Sequence, residues 1–205
     1  IVRGNYSAAR NHLIDAVNAD PRNGIAQAEL GRVYILLGEG VAAGGALDRA
    51  ASDGVPANRL HHLRAAALLL QRDPDAALDE SAKAGPVDTA YARRVTARAL
   101  AAKGDRAGAT ALLQRAIAAD PRDSSAWSDL GRIRLDAGDV AGADRASVQA
   151  TALDPANLAG LVLRGEVVRS PVGHSLIKAL MAEHDAVFGG EHSAHYYFRD
   201  FWFAD

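Results

Sequence analysis

The 205-residue chain contains no cysteine, a single methionine and two tryptophans. Without cysteine it can hold neither a disulfide framework nor a thiolate metal site, so cysteine usage leaves the redox compartment open. Charge of one sign is also missing. Lys and Arg number 23 against 25 Asp and Glu, for a formal net charge of −2, which argues against a dedicated nucleic-acid binder with its basic face. No run approaches the roughly 18 apolar residues of a membrane-spanning helix, so no membrane span is expected. No signal-peptide pattern opens the chain, and the cytoplasm is the expected compartment. Residue 1 is an isoleucine that falls inside the pattern described next, so the chain reads as part of something longer. Aromatic residues make up only 5% of the chain, and seven of the eleven crowd into residues 188–205.

What the chain has in quantity is small apolar residues on a fixed beat. Ala9, Ala43, Ala77, Ala109 and Ala143 follow one another at spacings of 34, 34, 32 and 34. Gly38, Gly104 and Gly138 keep the same register, as do Pro21, Pro121 and Pro155. A period of this length marks stacked supersecondary units, none of which can bury its apolar face alone. The beat stops near residue 170, and the chain reads as two unequal pieces.

Residues 124–157 form the clearest unit. Asp123 or Ser124 caps a first helix with Trp127, Leu130, Ile133 and Leu135 as its apolar positions. Gly138 ends that helix by accepting the left-handed conformation. Asp139 caps a second helix with Ala143, Ala146, Val148 and Ala150 on its packed side, and Asp154-Pro155 closes the unit. Small residues at Gly131, Ala143 and Ala150 let the two helices approach closely.

The series Trp127, Leu130, Gly131, Gly138, Ala143, Ala150, Pro155 resembles the tetratricopeptide repeat (TPR) consensus at its expected offsets. Residues 90–121 repeat it as Ala97, Leu100, Gly104, Ala109, Ala116 and Pro121, and residues 24–56 as Leu30, Gly31, Tyr34, Gly38, Ala43 and Ala50. Residues 58–89 are degenerate, with Arg72-Asp73-Pro74 in place of the turn glycine. A partial unit occupies 1–22 and a further first helix 158–168. The resemblance implies an all-α fold, a right-handed α-solenoid of helix pairs, over about 1–168. Repeats touch only their neighbours, so the array should be soundest around 90–155 and softer at 58–89.

TPR proteins generally bind peptides or partner proteins along a concave groove lined by their first helices, and rarely catalyse. The resemblance places Ile25, Ala28, Arg32, Ile35, Arg59, His62, Leu69, Tyr91, Arg94, Arg98, Ser125, Ser128, Arg132 and Leu135 on that face. Arg32, Arg98 and Arg132 recur at equivalent points, and guanidinium groups suit carboxylates. Two readings stand: a groove for an acidic segment or C-terminus, or a solvated face whose arginines pair with nearby Asp or Glu. His61-His62 reads as an ordinary surface pair, because adjacent helix positions face different ways and do not make a metal site. No metal or cofactor is expected of the array.

The tail has a different texture. Ser175–His184 suits a short helix, and Ala186-Val187-Phe188 a strand ended by Gly189-Gly190. The run Gly190-Glu191-His192-Ser193-Ala194-His195 resembles the sugar-recognition loop in the third domain of bacterial phosphomannomutase/phosphoglucomutase enzymes, with Ala194 where that family usually has glycine. The resemblance, over about 168–205, implies that Glu191 and Ser193 bond sugar hydroxyls and that His174 and His195 lie near the sugar phosphate. Glu191, His192 and His195 lack the helical spacing of a zinc site, so metal binding is not expected there. The family's phosphoserine loop, of Thr-Ala-Ser-His-Asn-Pro type, and its Mg²⁺ loop, of Asp-Gly-Asp-Gly-Asp type, do not occur. Phosphoryl transfer depends on groups of that kind. The alternative to a binding scaffold is therefore a phosphohexomutase fragment that recognises a hexose phosphate, with Mg²⁺ as cofactor only in that reading. The change at Val168-Arg169-Ser170 reads as a join, with an artificial or mis-assembled joint as the first reading and a natural fusion as the alternative.

Overall fold

The computed structural model describes residues 5–84, 89–167, 188–190 and 196–198. Ten α-helices follow in order: α1 (Tyr6–Ala19), α2 (Gly24–Leu36), α3 (Gly40–Ser52), α4 (His61–Leu70), α5 (Pro74–Lys83), α6 (Ala90–Ala102), α7 (Arg106–Ala119), α8 (Ser124–Asp136), α9 (Val140–Leu153) and α10 (Leu158–Val167). A 3₁₀ turn, Ala57–Arg59, leads into α4. Contacts divide the chain into two compact units, 1–112 and 113–205, and the division falls within α7.

Short polar side chains set the start of several helices, while α3 and α4 begin without a side-chain cap. Asn23 Oδ1 accepts the Ala26 N–H at 3.0 Å, Thr89 Oγ1 the Ala92 N–H at 3.1 Å, and Asp123 Oδ1 the N–H groups of Ser125 and Ala126, both at 3.1 Å. Each satisfies a donor that the first turn leaves without a helical partner. Second helices start the same way: Asp139 Oδ1 accepts the Gly142 N–H at 2.8 Å and Asp73 Oδ1 the Ala76 N–H at 3.0 Å.

One turn closes every described first helix from α2 to α8. The N–H of Glu39 donates to the Tyr34 carbonyl (2.8 Å), Asp73 to Leu68 (3.0 Å), Asp105 to Leu100 (2.9 Å) and Asp139 to Arg134 (2.9 Å). This six-residue closure needs a left-handed residue just before the donor. Gly38, Gly104 and Gly138 supply it, with φ of 79°, 91° and 83°, and Arg72 supplies it at 63°. The degenerate repeat has therefore lost the glycine and kept the turn.

In the first unit, α2 packs on α3 and α4 on α5, while α4 also touches both α2 and α6. Ala43, Leu47, Ala50, Leu60, Leu63 and Ala67 form one buried cluster; Ala65, Ala66, Ala77, Val95 and Ala99 form a second. Ile35 and Tyr91 pack against both. Alanine lets the helices approach, and glycine does so where even a methyl is too much. A Cβ at Gly31 would lie 2.9 Å from Leu47 Cδ2.

In the second unit, α8 packs on α9, and α10 packs on both. A Cβ at Gly131 would run into Leu163 Cδ2 and stand 3.2 Å from Ala146 Cβ. Ala143, Ala146 and Ala150 are fully buried as expected, but Val148 is 44% exposed. The buried face of α9 runs through Ser147 and Thr151 instead, whose hydroxyls donate to the carbonyls of Asp144 (2.8 Å) and Ser147 (3.0 Å). Bonding back to its own helix hides the hydroxyl, so a polar residue occupies a core position that hydropathy assigned to valine. The Trp127 ring is half-buried, its Nε1 donating to the Pro121 carbonyl at 3.1 Å.

The tail strand also differs from expectation. Strand β1 is Phe188–Gly190 and includes the two glycines; it pairs antiparallel with β2 (Tyr196–Phe198), in the register Phe188 to Phe198, Gly189 to Tyr197 and Gly190 to Tyr196. Alternate backbone groups of β1 thus have partners in β2. The helix expected over Ser175–His184 lies outside the described residues.

Candidate binding groove

The first helices of the first unit, α2, α4 and α6, lie side by side and leave a groove of about 500 Å³. Its walls are Ile25, Ala28, Glu29, Arg32, Ile35 and Leu36 from α2, Val55, Arg59 and Leu60 from the connection, His62 and Leu63 from α4, and Thr89 and Tyr91 at the start of α6. The structure thus brings together Ile25, Ala28, Arg32, Ile35, Arg59, His62 and Tyr91 from the residues expected on this face. The floor is aliphatic and part of it is bare: Ile25 is 71% exposed and Leu36 54%.

The charge around this floor is positive. Arg32 and Arg59 are exposed. The Arg94 guanidinium sits 5.6 Å from the centre of the Tyr91 ring, within cation–π range. Burial raises the Tyr91 pKa above its ordinary value, while the charges of Arg98, Arg94 and Arg32 oppose that rise. The phenol therefore stays neutral through physiological pH, inside the field of three guanidinium groups. Arg32 is also half of an ion pair, with Nη1 3.0 Å from both Glu29 carboxylate oxygens. Sequence reasoning missed Glu29, although its position three residues before Arg32 on one helix was a usable signal.

The two histidines do not form a surface pair. Their side chains leave α4 in different directions, and each has a specific partner. The His61 Nδ1 lies 2.8 Å from Glu80 Oε1, and both side chains are largely buried, at 14% and 10% exposure. Lys83 Nζ donates to Glu80 Oε2 at 2.9 Å. Burial pushes the Glu80 pKa up, but the hydrogen bonds from Lys83 and His61 outweigh it and hold the carboxyl below its ordinary value. His62 faces the groove. Its ring meets Tyr91 edge-on, with centroids 5.6 Å apart and planes at 80°. Its pKa lies below the ordinary value through burial, then the charges of Arg32 and His61.

The remaining expected residues fall elsewhere. Ser128 is 3% exposed on α8, its hydroxyl donating to the Ser125 carbonyl at 3.0 Å, so it is packed inside its own unit instead of lining a ligand surface. Arg132, also on α8, is half-buried. His174, Glu191, Ser193 and His195 lie outside the described residues. Among the described residues no cluster of His, Asp or Glu could hold a metal ion, and no helix is long and apolar enough to cross a membrane.

A tetratricopeptide repeat family model matches residues 2–59 and 94–167, more than half of the chain. A second model, phosphoglucomutase/phosphomannomutase alpha/beta/alpha domain III, matches residues 160–205, so the two overlap within α10. Phosphomannomutase of Escherichia coli K12 is 54% identical over 41 residues, 20% of this chain and 9% of that enzyme. The phosphohexose mutases of Xanthomonas campestris pv. campestris B100 are 58% identical over 33 residues, 16% of this chain and 7% of theirs. The chain thus spans less than a tenth of the length of these relatives. Among solved structures, TTC0263, a thermophilic TPR protein of Thermus thermophilus, superimposes with a TM-score of 0.69 at 20% identity, over 80% of this chain and 91% of that one. A TPR protein of Parabacteroides merdae ATCC 43184 gives 0.65 at 17% identity, over 80% and 65%. YrrB, described as a TPR protein with an unusual peptide-binding site, gives 0.51 at 19% identity, over 77% and 82%. The likenesses to solved structures show the fold of the repeat region: helix pairs of an α-solenoid.

Proposed function

The chain belongs to the tetratricopeptide repeat family, and we propose that it is a non-catalytic interaction scaffold whose α2–α4–α6 groove takes an acidic peptide segment carrying aliphatic side chains. One observation carries this reading: a groove of about 500 Å³ joins a bare aliphatic floor at Ile25 and Leu36 to guanidinium groups at Arg32 and Arg59. Apolar side chains of an extended segment would cover the floor, and its carboxylates would pair with the arginines. The ion pair with Glu29 engages only Nη1 of Arg32, so a ligand carboxylate has further donors on the same guanidinium. A peptide-binding site is a stated feature of YrrB, which shares the fold.

The test is fluorescence polarisation with a short labelled peptide alternating Asp and Leu. Replacing Arg32 and Arg59 together by alanine should weaken binding about tenfold or more, since charge-assisted hydrogen bonds contribute roughly 1.5–3 kcal/mol each. Unchanged affinity in the double variant would show that the groove is not the site.

A second reading is favoured by the 54% identity to phosphomannomutase over 41 residues. In it, residues 1–168 are the repeat array and 169–205 a separate sugar-recognition fragment. Glu191 and Ser193 would bond sugar hydroxyls, with His174 and His195 beside the phosphate. Calorimetry with mannose 1-phosphate tests it. Heat of binding abolished by Ser193→Ala would support the fragment, and no heat would leave the tail without that role. Turnover of the same sugar with Mg²⁺ would contradict a purely non-catalytic chain.

A further inference from the structure

We propose that His62 is the groove residue that meets the ligand's carboxylate, and that binding there takes up a proton. This rests on the acidic-segment reading of the groove.

His62 lines the groove from α4, which packs against both α2 and α6. Tyr91 holds its ring edge-on, yet the buried Nδ1 has no hydrogen-bond partner among the described residues. A buried polar atom without a partner is costly. A half-turn about the Cβ–Cγ bond would carry this nitrogen to the opposite edge of the ring while leaving the ring plane against Tyr91. The imidazole is thus packed in place with hydrogen-bonding capacity that no described residue uses.

The charges around it favour the neutral ring while the groove is empty. Arg32 and Glu29 of α2, paired to each other, line the groove with it, as does Arg59 of the 3₁₀ turn; Tyr91 of α6 meets its ring and stands beside Arg94 and Arg98; and on α4 itself is His61, which bonds Glu80. Glu29 is the one carboxylate lining the groove among the described residues, and Arg32 engages it. Burial, Arg32 and His61 all oppose protonation of His62. A ligand carboxylate supplies the negative charge that this environment lacks, and the imidazolium can then donate to it.

The sign follows from linkage. The pKa of His62 is low in the free protein and higher in the complex. Between the two values the complex holds more protons than the separated partners, so affinity rises as pH falls through that window and is level on either side. Each unit between the two pKa values is worth about tenfold in affinity.

The experiment uses the full chain and the labelled Asp/Leu peptide, at constant ionic strength, from about pH 8 to about pH 5.5, where aspartate stays ionised and histidine titrates. Affinity should rise about three- to tenfold toward the acid end, and His62→Gln should remove that slope. A level profile in the wild type, or an equal slope in the variant, overturns the proposal. If the peptide binds at no pH, the acidic-groove reading fails and takes this proposal with it. Should His62→Gln lose its helical circular dichroism, NMR titration of the wild-type His62 ring decides the matter. A higher pKa with peptide than without supports proton uptake, and an unchanged one refutes it.

Discussion

His62 and Tyr91 meet edge to face, ring centroids 5.6 Å apart and planes at 80°, so the histidine of α4 and the first turn of α6 hold one another in place. Tyr91 also packs against both buried clusters of the first unit. Tyr91→Ala should therefore cost about 2–4 kcal/mol, the lower part of the range for aromatic truncation because the ring is only half-buried. Urea unfolding of wild type and variant measures it. A loss below half a kilocalorie would mean that the ring does not tie the helices together.

Arg72 holds a left-handed conformation, φ 63°, in a turn that glycine closes elsewhere. A non-glycine residue there is strained by roughly 1–2 kcal/mol, and glycine gives back part of the relief through its freer unfolded chain. Arg72→Gly should raise stability by about 0.5–1 kcal/mol net. A fall in melting temperature would show that the Arg72 side chain contributes more than its backbone costs.

Glu80 makes stability depend on acid. Its pKa is lower folded than unfolded, so its contribution is complete above the ordinary glutamate pKa, about 4.3, and is lost as pH falls from there through the lower folded value. Glu80→Gln should lower stability at neutral pH by roughly 1–2 kcal/mol and flatten the acid limb. Denaturation series at several pH values would show it. An acid limb as steep in the variant as in the wild type would place the titration in other carboxylates.

At Gly131 the limit is space. A methyl there would meet Leu163, and Leu163 is 1% exposed, so its side chain would have to shift within the packed core. Gly131→Ala should cost about 1–3 kcal/mol, the usual penalty for overpacking, even though alanine is the better helix former. Stability equal to or above wild type would show that α10 can shift without loss.

The helix pairs were legible because turn and capping chemistry repeats in register. Asp123, Gly138 and Asp139 mark the boundaries seen in α8 and α9, and the groove positions of α2 followed from the same register. What escaped was set by contacts between distant residues. The His61–Glu80 bond joins positions 19 apart, and no local pattern announces it. Ser147 was not among the expected core positions, since bonding back to its own helix is invisible to hydropathy, whereas Val148 was. At Arg72 the missing glycine marked the unit as degenerate, because the sequence does not show that the surrounding hydrogen bonds can hold an arginine left-handed.

The division of the groove into an arginine rim and an aliphatic floor has a kinetic consequence. For the acidic segment proposed above, long-range attraction to Arg32 and Arg59 would govern how fast it arrives, screened over about 8–10 Å at ordinary salt. Contact with Ile25 and Leu36 would begin only after arrival and govern how long the segment stays. Ionic strength would then act mainly on the association rate, and trimming the segment's aliphatic side chains mainly on the dissociation rate, so the encounter and the lifetime of the complex would be tuned separately.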